Sequence, residues 1–271
     1  MAQELPQPDR NRLGVVMALV LLTYALLRVV VLPSLTAEVR LLGLIVRLEF
    51  NTRFVMLTLA AALTIAGADW LIRAHPWLKA GERTTEHWVI PGLAGLGVGA
   101  ILARIPEGPA WWLGLLLAAA LLAAVLATEF IVVDDEDPRY DGASVGLTAL
   151  AYLLLAGSLF AIRATGMRAT FAIPLFFLAC AAVSWRLLHL QEPHARMWRY
   201  AALIGLTIAQ LAWGLHYWRI SPLREALVLG LGVYLGTGLA LAHERKGFDR
   251  ATTIELSSVG AIALAAILIL S

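Results

Sequence analysis

The scarcities of this chain exclude more than its abundances suggest. There is one cysteine, Cys180, inside an apolar run, so an intrachain disulfide and a zinc site built on thiolates are excluded. Cys180 reads as a small buried hydrophobe. Only 15% of the 271 residues are charged, against about a quarter in a soluble domain. The formal net charge is only +2, and nucleic acid is not an expected partner. No His-x-x-x-His or Glu-x-x-His pattern occurs, which leaves a haem or di-metal helical bundle unsupported.

What the chain has in excess is apolar surface. Hydrophobic residues make up 60% and the mean hydropathy is +0.79. A soluble fold of this size has no means of hiding so much apolar surface behind a wet exterior, and lipid removes the problem. A bilayer core of about 30 Å needs roughly 20 apolar residues in a helix. Windows of that kind fall at 13–32, 54–74, 88–104, 110–133, 142–163, 169–189, 198–218, 223–242 and 253–270. The fold class predicted is all-α, a polytopic transmembrane helical bundle of about nine spans in one domain, residues 1–271. The first window is read as an uncleaved span, because it is long for a signal core and Pro33-Ser34-Leu35 follows it. The third is the shortest. Prolines at 33, 76, 106, 109, 138, 193 and 222 mark boundaries.

With the N-terminus inside, Lys and Arg divide about 12 inside to about 8 outside. Arg10, Arg73, Arg139, Arg196, Arg245 and Lys246 are among the inner ones, and Arg40, Arg53, Arg163 and Arg219 among the outer. Between the first two spans, Val46, Leu48 and Phe50 alternate with Arg47, Glu49 and Asn51. Period two predicts a short hairpin or amphipathic extended segment with one dry face, on the outer surface.

Three constellations carry the candidate chemistry. Ionisable groups within spans are costly. Asp69 and Arg73 (four apart on one face), Glu129, Arg186 and His189 are expected towards the inner ends of their spans. They form a candidate polar pocket, unless they pair locally and snorkel. Gln210, Trp213 and Tyr217 share a face of the seventh span and form a candidate aromatic face for a ligand. With Trp218 the aromatics also sit where an interfacial belt belongs. Glycines in the third span and Gly232-x-x-x-Gly236 in the eighth read as helix-packing sites.

The third constellation is Asp134-x-x-Asp137-x-x-x-Asp141. Clustered carboxylates hold Mg²⁺, which holds diphosphates. The spacing resembles the first aspartate-rich motif of the intramembrane aromatic prenyltransferases. Departures are Val133 for the usual Asn, Pro138 inside the motif, and Asp249 as the only aspartate after Asp141. A solvated acidic loop is the alternative.

Two longer stretches, Gly67-Ala68-Asp69-Trp70-Leu71-Ile72-Arg73-Ala74-His75-Pro76 and Ala212-Trp213-Gly214-Leu215-His216-Tyr217-Trp218-Arg219-Ile220-Ser221-Pro222-Leu223, resemble an uncharacterised family of multi-pass bacterial membrane proteins. The resemblance implies a bacterial cytoplasmic-membrane protein and transfers no catalytic residue. It directs attention to Asp69, Trp70, Arg73, Trp213, Tyr217 and Trp218. The leading expectation is a protein that binds a lipid, a hydrophobic small molecule or a membrane partner, without a cofactor. The alternatives are a Mg²⁺-dependent enzyme acting on an isoprenoid or lipid phosphate, and a proton-coupled transporter using Asp69 or Glu129.

Overall fold

The computed structural model describes residues 6–31, 33, 35–41, 44–79, 81–192, 197–245 and 250–269. Arg196 and Lys246, counted above on the inner side, lie outside the described residues. So do Leu32 and Leu270, which end the first and last expected spans. Within the described residues the elements run α1 (Arg10–Val29), β1 (Leu35–Leu41), β2 (Leu44–Phe50), α2 (Thr52–Ile72), a 3-10 turn (Thr85–Trp88), α3 (Val89–Leu102), α4 (Pro109–Ile131), α5 (Tyr140–Ala164), α6 (Ala169–Gln191), α7 (Trp198–His216), α8 (Pro222–Glu244) and α9 (Arg250–Ile269).

Six of these helices, α1, α2, α4, α5, α6 and α8, are long and apolar enough to cross a membrane. About nine spans were expected. The 14 residues of α3 rise only about 21 Å. Arg199, Tyr200, Gln210 and His216 dilute the apolar character of α7, and in α9 the apolar stretch is Ile254–Ile267. Outward faces agree with lipid as solvent. Leu116 and Leu153 are each 69% exposed and Ile262 is 70% exposed, which water penalises and hydrocarbon does not.

Local chemistry fixes the helix starts. Asp9 caps α1 by accepting from the amides of Asn11 and Arg12. Asn51 caps α2, its Oδ1 taking the Phe54 amide at 2.9 Å. Pro109 and Pro222 open α4 and α8, where a missing N–H costs nothing. A strand, β2, is found where alternation predicted one. It pairs antiparallel with β1, Leu35 opposite Phe50 and Leu41 opposite Leu44. The dry face expected of Val46, Leu48 and Phe50 concerns side chains outside the described set.

The chain packs as two units, Met1–Ala143 and Ser144–Ser271. In the first, α2 lies against α1, α3 and α4, around Val16, Tyr24, Leu71, Ile90, Leu126 and Phe130. The α3 glycines serve that packing. A Cβ on Gly95 would sit 2.6 Å from Thr64 Oγ1 and 3.3 Å from the Ala60 carbonyl, so α3 approaches α2 almost backbone to side chain. Tyr24 crosses from α1 to donate to the Gly95 carbonyl. In the second unit α6 and α7 pack closely, α8 packs on both, and α9 packs on α8. Two polar contacts tie α5 to α8: Tyr152 with Thr237, and Arg163 with the buried Glu225.

Candidate functional site

The end of α2 builds the first polar cluster. Asp69 accepts from Arg73 Nε at 2.7 Å, from Thr84 Oγ1, and from Trp88 Nε1 at 3.3 Å. Arg73 also reaches Thr84 at 3.4 Å. One carboxylate thereby holds the 3-10 turn against α2. Arg12 donates to the Trp70 carbonyl at 3.0 Å, its guanidinium 5.1 Å from the indole centroid. The i,i+4 spacing of Asp69 and Arg73 does form an ion pair. Arg73 is half-exposed there, so the pair alone is worth no more than about 1 kcal/mol.

Glu129 is fully buried near the end of α4, with Oε2 2.7 Å from Nδ1 of His87, itself buried in the turn that Asp69 anchors. Asp69, Arg73 and Glu129 of the five expected pocket residues are joined through 84–88. His87 was not singled out in the sequence, where it reads as one of six dispersed histidines. The only sequence signal is a lone imidazole entering an apolar run. His75 packs its ring edge on Phe130, centroids 4.5 Å apart. Burial pushes the His75 imidazole below its ordinary value, while Asp134 and Asp137 pull it partly back.

The acidic loop is occupied by its own arginine. Asp137 is buried and takes both Arg139 Nη2 at 2.7 Å and Nε at 3.0 Å. That guanidinium holds the carboxyl below the usual range, and it also donates to the Pro6 carbonyl at 2.8 Å. Asp134 turns back to accept the Glu136 amide at 3.1 Å, and Asp141 lies exposed in the first turn of α5. Among the described residues no three His, Cys, Asp or Glu are placed to hold a metal ion. The same segment runs into Gly142-Ala143-Ser144-Val145-Gly146, the spacing of a nucleophile elbow. An elbow needs a sharp strand-to-helix turn, whereas these residues lie within α5.

In the second unit Arg186 is buried in α6 and His189 half-buried near its end. Gln210, Trp213 and Tyr217 are exposed, Trp213 by 58% and Tyr217 by 73%. That face lines neither of the two cavities of this unit described next.

One is an apolar groove of about 590 Å³ between α7, α8 and α9, lined among others by Leu211, Leu231, Gly232, Leu256 and Leu264. The other is an amphiphilic pocket of about 350 Å³ between α5, α6, α8 and α9. Gln191, Arg245 and Glu255 line it at the exposed ends of their helices. The hydroxyl-bearing Thr148, Tyr152, Tyr234 and Thr237 line it within. Thr237 lies about 12 Å from Arg245 along α8 at 1.5 Å per residue. Leu256 lines both cavities. It lies against Gly238, where a Cβ would come within 2.5 Å of its Cδ2.

The hydroxyls of the pocket are oriented. Thr237 Oγ1 lies 2.9 Å from the carbonyls of Val233 and Tyr234. Both are acceptors, so the threonine proton points to them. Tyr152 then donates to Thr237 Oγ1 at 3.1 Å and turns only oxygen lone pairs elsewhere.

Residues 32–270 match a family described as protein of unknown function (DUF5656). The chain belongs to that family. No curated protein and no solved structure matches it. The DUF5656 region begins after α1 and runs through the rest of the first unit and nearly all of the second, so the cluster at Asp69 and the pocket at Thr237 both lie within it. The motif at 67–76 builds the Asp69 cluster, and the motif at 212–223 carries the chain from α7 into α8, where Ser221 Oγ takes the Arg224 amide at 3.4 Å.

Proposed function

We propose that this protein is an integral protein of the bacterial cytoplasmic membrane that binds a lipid-like amphiphile within its second unit. The observation supporting this is the amphiphilic pocket, with charge at its exposed end and hydroxyls within, beside an apolar groove that shares Leu256 with it. Ligand sites are commonly clefts of about 300–1,000 Å³ with mostly apolar walls and a few placed polar groups, and the two cavities together have that character. The headgroup lies in the pocket and a chain lies along the groove. In this reading all nine helices lie in the membrane, the 3-10 turn lengthening α3, with the N-terminus cytoplasmic and the hairpin on the outer surface.

Native mass spectrometry of protein extracted in mild detergent tests the proposal. Wild-type protein is expected to retain one amphiphile per chain. Thr148→Phe, which projects a ring into the pocket from half-buried α5, is expected to lose most of that occupancy while keeping the wild-type melting profile. Equal retention by a folded Thr148→Phe protein would remove the pocket from the account.

A further inference from the structure

The lining of the pocket specifies more than an amphiphile. Arg245 and Glu255 bring opposite charges to the same cavity. Arg245 spends Nε on Glu192 Oε1 at 2.7 Å, which leaves the paired Nη donors of its fork, the geometry that suits a phosphate. Glu255, as a carboxylate, only accepts. Deeper in, the Tyr152 oxygen also presents only lone pairs, because its proton is committed to Thr237. The pocket therefore offers one strong donor fork and two acceptor positions.

We propose that the pocket selects an amphiphile whose headgroup carries a phosphate beside a primary ammonium. The inference rests on the amphiphile-binding role proposed above and names the class of ligand. A phosphate fits the Arg245 fork. A primary ammonium supplies the N–H donors that the Glu255 carboxylate accepts. A quaternary ammonium matches the charge but has no N–H to give. A headgroup bearing only negative charge satisfies Arg245 and meets Glu255 with repulsion that nothing in the ligand offsets. An uncharged polyol offers no anion to the Arg245 fork and no cation to Glu255.

The full chain, reconstituted with equal amounts of phosphatidylethanolamine, phosphatidylcholine and phosphatidylglycerol of matched chains, is the test, read by native mass spectrometry. Phosphatidylethanolamine is expected to be retained about tenfold over each of the others, equivalent to about 1.4 kcal/mol. Glu255→Gln is expected to abolish the discrimination against phosphatidylglycerol. Arg245→Gln is expected to weaken retention of all three. Both side chains are exposed, so neither variant threatens the fold. Preferential retention of phosphatidylglycerol, or an unchanged ranking in Glu255→Gln, would overturn the headgroup assignment and leave amphiphile binding standing. Retention of none of the three, together with an unaltered Thr148→Phe protein, would overturn both.

Discussion

Gly205→Leu is expected to destabilise the second unit by about 3 kcal/mol. The reason is the approach of α7 to α6. A Cβ at 205 would lie 2.7 Å from Ala181 Cβ and 3.1 Å from both Cα and N of Ala181. Backbone atoms of a helix do not step aside as a side-chain end does, so the whole α6–α7 contact has to open. Overpacking of this kind costs about 1–3 kcal/mol and occasionally more. Gly214 in the same helix is the internal control, since nothing lies within 4 Å of a Cβ there. Gly214→Ala is expected to be neutral or to stabilise by up to about 1 kcal/mol through the lost flexibility of glycine. Unfolding in mild detergent, followed by tryptophan fluorescence, measures both. Equal stability of Gly205→Leu and wild-type protein would contradict the packing described for α6 and α7.

Glu129→Leu is expected to destabilise the first unit by a similar amount. Glu129 is wholly buried and its carboxylate meets His87 at 2.7 Å. Removing one member of a buried polar pair leaves the other desolvated, at a cost of about 3 kcal/mol. The double variant His87→Leu/Glu129→Leu is expected to recover part of that loss, because the buried imidazole is removed together with the carboxylate. The difference between the single and double changes gives the coupling energy of the pair. Destabilisation of Glu129→Leu by less than about 0.5 kcal/mol would show that the pair does not anchor the 3-10 turn to α4.

Different parts of this architecture were legible in the sequence for different reasons. The helical membrane character follows from composition, because an excess of apolar residues has few structural outlets. The starts of α4 and α8 were marked by Pro109 and Pro222. Strand β2 was marked by period-two alternation, and a hairpin was one of the two expected forms of the stretch, whereas the bounds of β1 came from its pairing. The count of nine spans was less secure, because hydropathy windows do not see where a helix stops. The window at 88–104 extends beyond the 14 residues of α3.

The site divides in the same way. Asp69 with Arg73 was visible because i,i+4 geometry is local. Glu129 was visible because a carboxylate in a span is expensive. Its partner His87 is 42 residues away, and only tertiary packing brings the two together. The pocket was not legible at all. Thr148, Tyr152, Thr237 and Arg245 come from different turns of α5 and α8, and single hydroxyls in apolar helices are ordinary. Gly232 was read as a packing glycine, and it also lines the apolar groove.

Photolabelling tests amphiphile binding in the second unit most directly. Full-length protein in mild detergent would be irradiated with a phosphatidylethanolamine carrying a photoreactive acyl chain, then digested and mapped. The account predicts labels concentrated on the groove-lining residues of α7, α8 and α9, such as Leu211, Leu235 and Leu264, and competed away by unlabelled lipid. Labels spread evenly over the lipid-facing surfaces of all the helices, and insensitive to competition, would contradict it.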